Sequence, residues 1–386
     1  MTHRLHSRNT PDTDATDDGG MLTGFKVGIT ADRRADEQVS LFERRGASVM
    51  HGPSIRTLAL GSDPRLRAAT ESVISRMPSV VIANTGVGIR GWFSAAHDWG
   101  LGDDLGVALN KARIIARGPK ASGALHSLGL EVESRASSER LVDAVSLALE
   151  LVGRGDLVAL QLDGRGSSEQ SARLNEAGVE VIEIPVYEWR LPDDPTPAVR
   201  LAEAVIAGRV HAVTFTAGPA VRNWLDLAAD HGLLDDLIAT LESGAVVGCV
   251  GPVCADSARE AGLDGCDLVV PDNWRLGPLV RAVAGRLSDR TIEVEIQGST
   301  LVIAGTHVTI AGSHVELTDV EAQVLAVLAS RPDVVYSKPE LLRLVWRDET
   351  ANPHLVEVIV ARLRRRLAPT GTNIESIYRR GYALRA

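Results

Sequence analysis

Cysteine is nearly absent: Cys249, Cys254 and Cys266 are all that the 386 residues contain. An odd count without metal-type pairing excludes a disulfide framework and points to a reducing compartment. The spacing fits no zinc ribbon and no histidine cluster lies beside it, so small buried thiols are expected. Aromatic residues make up 4% of the chain. No run of about 18 apolar residues occurs, so a membrane-spanning helix is not expected. The N-terminus lacks the apolar core of a signal peptide, and a cytoplasmic protein follows as the expectation. Nor is the chain basic overall. Its net charge of −9 argues against bulk binding of polyanions.

That charge is unevenly spread. Residues 362–386 carry seven arginines and one acid, Glu375, for +6, which leaves −15 on the other 361 residues. A basic patch on an acidic body is a local interaction surface. Hydrophobic content of 45% with 24% charged residues is ordinary for a globular chain. The length allows two or three domains.

Residues 1–22 are rich in Thr, Asp, Ser and Gly and hold too little apolar surface to offset their ordering entropy, so a disordered tail is expected. Apolar strands and helices then alternate. Strands are expected at 25–30, 47–51, 79–84, 112–116, 130–134, 157–162, 180–187, 212–216, 246–250 and 268–270. Helices are expected at 32–45, 64–77, 88–99, 138–152, 169–177, 197–207, 219–232, 253–261 and 276–287. Short apolar strands each followed by a helix indicate parallel sheets covered on both faces. So many strands imply two α/β lobes. From Thr291 the pattern becomes short alternating strands with Gly-containing turns, an antiparallel sheet. Thr318 with Glu321, and Ser337 with Glu340, have capping-box spacing and open two helices. A third, amphipathic helix places Val356, Ile359, Val360, Leu363 and Leu367 on one face, with Arg362 and Arg365 opposite and Arg364 on the flank. A hairpin containing Arg379 and Arg380 follows. A basic helix with a basic hairpin is the footprint of a protein that enters a nucleic-acid groove.

The segments LTDVEAQVLAVLASRPDVVYSKPELLRLVW, VEVIVARLRRRL and IESIYRRGYAL, in that order, resemble the winged-helix DNA-binding domain of OmpR/PhoB-class response regulators. The resemblance implies a third helix in the major groove of double-stranded DNA and a wing beside it. Carried over by position, Ala361, Arg362, Arg364 and Arg365 fall on the recognition stretch; Arg364 matches a basic position of the family motif and is the candidate base reader, with Arg362 turned towards a phosphate instead. Ser337 and Lys338 become backbone contacts, and Arg379 and Arg380 wing contacts. Val358 and Ala361 are either partners of thymine methyl groups or surface apolars. The wing departs from the usual V-R-G-x-G-Y, reading Ile377–Tyr378–Arg379–Arg380–Gly381–Tyr382, which displaces its arginine.

In the lobes, Gly86–Val87–Gly88–Ile89–Arg90–Gly91 is a literal G-x-G-x-x-G after an apolar strand. The acid expected at the end of the next strand is missing, since Arg117 stands there. A turn whose glycines let strand and helix pack closely is the better reading, and no cofactor is expected. The strand–TGVGIRG turn, RGPKASGALHSLGLEVE, LQLDGRGSSEQSARLNEAGVEVIEIPVYEW, VTFTAGPAVRNWL and VGPVCADSAREAGLDGCDLVV resemble, in their order, uroporphyrinogen-III synthase. The resemblance implies two lobes, the first discontinuous (23–57 and 190–289, with 58–189 as the second), followed by a winged-helix domain at 290–386. It implies a pocket between the lobes for a tetrapyrrole and no metal or cofactor. Tyr187 matches the family's cleft tyrosine, the catalytic candidate if the chain is an active synthase. Thr85, Gly86, Thr216 and Gly251 belong to turns lining the cleft. Arg90, Arg117, Lys120, Arg165 and Arg222 lie near strand ends and suit an anionic ligand. Family members commonly carry Thr or Ser after the G-P turns. Here Lys120–Ala121 and Val253–Cys254 stand there.

Two functions follow. One is a transcriptional regulator whose synthase-like body senses a small anion, a tetrapyrrole, nitrate or nitrite, or a partner, with lobe closure re-aiming the winged helix. The other is a working synthase with an appended DNA-binding domain. The fusion resembles a group of actinobacterial regulators of nitrate and nitrite assimilation, and assimilatory nitrite reductase uses sirohaem, made from uroporphyrinogen III. A homodimer or a co-regulator is a further partner by analogy.

Overall fold

The computed structural model describes residues 20–162, 164, 169–296, 298–348, 350–370 and 374–386. In chain order it begins with β1 (Lys26–Ile29), α1 (Ala35–Glu43) and β2 (Ser48–His51). Next come β3 (Arg56–Ala59), α2 (Pro64–Arg76), β4 (Val80–Ala83), α3 (Gly86–Asp98), α4 (Gly102–Lys111), β5 (Arg113–Ala116), α5 (Pro119–His126) and β6 (Ser134–Arg135). They lead to α6 (Leu141–Leu151), β7 (Leu157–Gln161), α7 (Glu169–Glu176), β8 (Glu180–Ile184) and β9 (Tyr187–Arg190). After these come α8 (Thr196–Ile206), β10 (Ala212–Phe215), α9 (Gly218–Asp230), α10 (Leu234–Ser243), β11 (Val246–Cys249), α11 (Pro252–Ala258), β12 (Asp267–Val269) and α12 (Leu276–Ser288). The C-terminal part holds β13 (Ile292–Ile296), β14 (Ser299–Ala304), β15 (His307–Ile310), β16 (Ser313–Glu316), α13 (Asp319–Ser330), α14 (Lys338–Leu341), α15 (His354–Leu367), β17 (Ile374–Ile377) and β18 (Gly381–Leu384).

The chain forms two compact units, one of residues 55–192 and one of 1–54 with 193–386. The first holds a parallel sheet in the order β6-β5-β4-β7-β8 and the antiparallel ribbon β3-β9. Strand β4, Val-Val-Ile-Ala, is buried throughout because helices cover both its faces. Trp92, Leu66 and Leu105 fill one side, and Ala144, Val145 and Leu174 the other. Buried Trp92 keeps its indole N–H satisfied by Thr70 Oγ1 at 2.9 Å. The strand expected over 180–187 is interrupted, so that β8 and β9 join different sheets. Helix α4 and, in the other unit, α10 add elements beyond the sequence reading. Both begin with an Asp-Asp pair in the first turn, where negative charge suits a helix N-terminus.

The larger unit contains the α/β lobe, here called lobe 1, and the C-terminal elements packed with it. Its parallel sheet runs β12-β11-β10-β1-β2. Phe42, Leu279 and Val283 are buried on one face, and Leu201, Phe215 and Trp224 are buried as well. The antiparallel sheet β13-β14-β15-β16 and the hairpin β17-β18 flank α13, α14 and α15. One core, with Leu301, Leu325, Leu342, Val360, Leu363 and Leu384, joins those pieces. This is a winged helix preceded by a four-stranded meander.

The glycine motif is explained by packing. A Cβ on Gly86 would stand 2.1 Å from Lys120 O, and one on Gly88 1.7 Å from Gln161 Nε2, whereas one on Gly91 would meet nothing within 4 Å. Gly86→Ala and Gly88→Ala should therefore each destabilise by about 1–3 kcal/mol. Gly91→Ala should be neutral or stabilise by roughly 0.5–1 kcal/mol. Urea unfolding of the three variants checks this, and equal effects at all three positions would refute it.

His211 titrates within the larger unit. Its Nδ1 accepts the Lys26 N–H at 2.9 Å, and the Phe25 ring meets it edge-on. Burial pushes the imidazole below its ordinary value, against an opposing pull from the Asp319 carboxylate and the Lys26 backbone contact, and with a small further lowering from the charges of Lys26 and Arg290. The folded chain therefore holds His211 neutral where the unfolded chain takes up a proton. This contribution to stability is present above about pH 6.5 and is lost as pH falls through the folded value. The unfolding midpoint should drop between pH 7 and 5, and His211→Gln should flatten that drop.

Candidate nucleic-acid interface and ligand-binding edges

Helix α15 buries Val356, Val360, Leu363 and Leu367, which fixes the face it turns outward. Ala361, Arg362 and Arg365 lie on that exposed face. Neither arginine forms an ion pair among the described residues. Val358 is half-buried. Arg364, on the flank between stripe and open face, turns onto the hairpin. Its Nε donates to Ile374 O at 2.7 Å and its Nη2 to Ser376 Oγ at 2.8 Å, and the guanidinium lies 5.7 Å from the centroid of the Tyr382 ring. The sequence grouped Arg364 with groups facing DNA. The structure gives it two hydrogen bonds that hold the wing to the helix. Arg366 points away as well, pairing at 3.2 Å with Glu321, whose carboxylate is buried.

Ser337 and Glu340 complete a capping box, with Ser337 N–H donating to Glu340 Oε2 at 2.7 Å. The Ser337 hydroxyl is thereby engaged at the start of α14. Lys338 pairs with Glu357 of α15, which also holds His354 at 2.9 Å. The pairing with Lys338, and then with His354, lowers the Glu357 carboxyl from its ordinary range. At the hairpin turn Arg379 adopts a left-handed conformation (φ 55°) and stacks on Tyr378, with 5.1 Å from guanidinium carbon to ring centroid. Tyr378 is 81% exposed. Arg380 is exposed beside it. Ser337, Lys338 and the wing residues Tyr378 to Tyr382 line a concavity of about 370 Å³. The surface is therefore a cationic helix face next to a cationic, aromatic wing tip, and suits a phosphate backbone with an adjacent groove.

In the smaller unit, the expected residues Thr85, Gly86, Arg117 and Lys120 gather at the carboxyl ends of the paired strands β4 and β5. Thr85 Oγ1 accepts Gly88 N–H at 3.1 Å, capping α3, and also accepts Gln161 Nε2–H at 3.1 Å. Gln161 Oε1 in turn accepts the N–H groups of Asn84 and Thr85 at 3.0 and 3.1 Å. With both acceptor directions filled, the Thr85 hydroxyl is left to donate. The side chain of Asn84 is buried, and among the described residues neither its nitrogen nor its oxygen has a hydrogen-bond partner. Sequence reasoning missed Asn84 and Gln161. Their signal was a polar residue closing an otherwise apolar strand. Arg90 is exposed one turn into α3, and Arg165 lies outside the described residues. Tyr187 opens β9 opposite Ala59, is 8% exposed, and packs 5.8 Å from Trp189 between ring centroids.

In lobe 1, Thr216 and Gly251 lie just past the paired strands β10 and β11. Gly251 is covered by Trp274. Arg222, one turn into α9, reaches Ser257 Oγ at 3.4 Å while its Nε is buried without a partner among the described residues. Gln38 is fully buried, donates to Thr214 Oγ1 at 2.8 Å and leaves its Oε1 unpaired among the described residues. Cys254 is buried, with its thiol 3.6 Å from Phe215 O, and contact with Cys249 together with burial raises its pKa. Among the described residues no cluster of three or more His, Cys, Asp or Glu is placed to hold a metal. No helix among them is long and apolar enough to cross a membrane.

Comparison with known proteins accounts for both parts. Residues 36–281 match the family described as uroporphyrinogen-III synthase HemD, and residues 312–384 match the C-terminal domain of transcriptional regulatory proteins. The uncharacterized protein YjjA of Bacillus subtilis is 28% identical over 270 residues, covering 69% of this chain and 97% of that protein. A putative uroporphyrinogen-III synthase of Methanothermobacter thermautotrophicus is 27% identical over 170 residues, 43% of this chain and 64% of that protein. A crystal structure of a mutant uroporphyrinogen III synthase from Thermus thermophilus is 29% identical, covers 69% of this chain and all of its own (100%), and superposes with a TM-score of 0.56. The chain belongs to the uroporphyrinogen-III synthase family and carries, fused to that body, an OmpR/PhoB-type DNA-binding domain.

Proposed function

We propose that this DNA-binding regulator is controlled by a small anionic ligand, a tetrapyrrole, nitrate or nitrite, bound by its synthase-like body, and that it serves nitrate and nitrite assimilation. The observation that carries the ligand is Asn84. A buried amide without a protein partner is costly unless a bound polar group satisfies it. It stands beside a Thr85 hydroxyl left to donate and the N-terminus of α3, where amides and helix dipole favour negative charge. Arg117 and Lys120 at the neighbouring turn add positive charge there.

Catalysis is the second reading, favoured by membership of the family over residues 36–281 and by Tyr187 at the family's cleft position. The replaced hydroxyls bear on it unevenly. Ala121 and Cys254 are buried, so a hydroxyl at either would face the core, whereas Lys120 and Val253 are exposed. At the exposed positions a cation and an aliphatic group stand where the family commonly offers hydroxyls. This favours anion binding over the family's substrate geometry. Isothermal titration with uroporphyrinogen III, nitrate and nitrite, read together with DNA affinity, tests the regulator. At least one should bind and shift DNA affinity, and Asn84→Leu should abolish the shift. Inertness towards all three removes ligand control. Turnover of hydroxymethylbilane that Tyr187→Phe abolishes would establish the enzyme instead.

On the DNA side, Arg362 and Arg365 supply contacts from α15 and Arg379 and Arg380 from the wing, and Arg364 sets the wing's position. Arg362→Ala should cost about 1–3 kcal/mol on a selected site if it reads a base. Equal loss on random DNA would make it a phosphate contact. Arg364→Ala should speed amide exchange across β17 and β18, which Arg362→Ala should leave alone.

A further inference from the structure

Three contacts tie the winged helix to lobe 1, and in each the winged helix donates and lobe 1 accepts. Thr306 gives its N–H and its hydroxyl to Gly24 O, at 2.9 and 3.2 Å. Gln323 Nε2 meets Ala207 O and Gly208 O at 3.3 and 3.1 Å. Arg347 gives Nη1 to Thr240 Oγ1 at 2.6 Å and Nη2 to Ser243 Oγ at 2.8 Å. Ala207 and Gly208 follow the last turn of α8, and Thr240 and Ser243 lie in the last turn of α10. Helix carboxyl ends carry unsatisfied carbonyls and partial negative charge, so amide and guanidinium donors dock there. At the first contact the backbones nearly touch: a Cβ on Gly24 would stand 2.1 Å from Ala304 O, and one on Gly305 2.1 Å from Gly24 O.

Arg347 is the unexpected member. It caps the π-helical segment Leu342–Trp346, which continues α14, in a left-handed conformation (φ 56°, ψ 22°) that glycine usually takes at a helix end. Asp348 then accepts Thr350 N–H at 2.8 Å and Asn352 accepts His354 N–H at 2.9 Å, so this short connection is stapled into the start of α15. Whatever fixes Arg347 thereby fixes the entry to the recognition helix. A glycine would suit the backbone there but would carry no tie to α10.

We propose that Arg347 is a positioning residue for DNA binding. It holds the loop entering α15 against α10, so that lobe 1 and the winged helix meet DNA as one body. This rests on the winged helix binding DNA and does not depend on any ligand.

The test uses the full chain and duplexes that it selects from a random-sequence library. Arg347→Ala should lose roughly three- to tenfold in affinity. The slope of log affinity against log salt should stay unchanged, because no phosphate contact is removed. Thr240→Val combined with Ser243→Ala, altered only in lobe 1, should lose a similar factor, and adding Arg347→Ala should cost little more. Ser243→Ala alone, at an exposed position, guards against misfolding and should show part of the loss. Hydrogen exchange without DNA should accelerate over residues 350–356 in every variant. A salt slope shallower by about 1 in Arg347→Ala would make it a phosphate contact and overturn the proposal. So would wild-type affinity in the lobe-side variants, or unchanged exchange. Accelerated exchange in a chain that selects no duplex would leave the seam standing and refute the DNA-binding reading.

Discussion

Parallel pairing imposes direction on everything else. In a sheet whose strands all run one way, each connecting helix starts at the edge where strands end and finishes at the edge where they begin. One edge of each lobe therefore collects helix N-termini, N–H groups and positive potential. The other collects helix carboxyl ends, carbonyls and negative potential. Lobe 1 shows the use of both. Thr216, Gly251 and Arg222 lie where β10 and β11 end. Gly24, Ala207, Gly208, Thr240 and Ser243 lie where β1, β10 and β11 are about to begin. At the three contacts on the second edge the winged helix donates each hydrogen bond, so it docks there without displacing an anion from the first.

The DNA surface depends on which arginines are spent internally. Residues 362–386 carry seven arginines, yet they are not equivalent. Arg364 holds the wing, Arg366 pairs with buried Glu321, and Arg385 pairs with Glu375 and Asp333. Arg362, Arg365, Arg379 and Arg380 stay outward. A local net charge therefore overstates the charge offered to a phosphate backbone. Lys338, paired with Glu357, is a further cation committed within the domain.

Much of the fold was legible because its signals are local. Apolar strands such as Val80–Ala83, the capping boxes at Thr318 and Ser337, and the stripe from Val356 to Leu367 each lie within a short window. Helices α4 and α10 are not legible in the sequence, although Asp103–Asp104 and Asp235–Asp236 mark their first turns. Each directly follows another helix, in a Gly-Leu connection that reads as a loop. The site was less legible because its decisive contacts are distant in sequence. Gln161 meets Thr85 across 76 positions, and Arg347 meets Thr240 across 107. The direction of Arg364 could not be read from a helical wheel, since the wing that captures it comes later in the chain.

A signal received at lobe 1 would reach the DNA-binding domain through the same two edges. A ligand at the N–H-rich edge of lobe 1 would lie at the start of α9, whose far end leads directly into α10. The last turn of α10 holds Arg347, and Arg347 ends the segment from which α15 rises. A displacement of α9 along its axis therefore has a packed route through α10 to Arg347. A rigid tie transmits small shifts only if the elements along it are close-packed, and these are: Trp224 and Leu225 of α9 and Leu237 and Leu241 of α10 are all buried. Such a route makes lobe 1 the part of the body able to re-aim α15 directly.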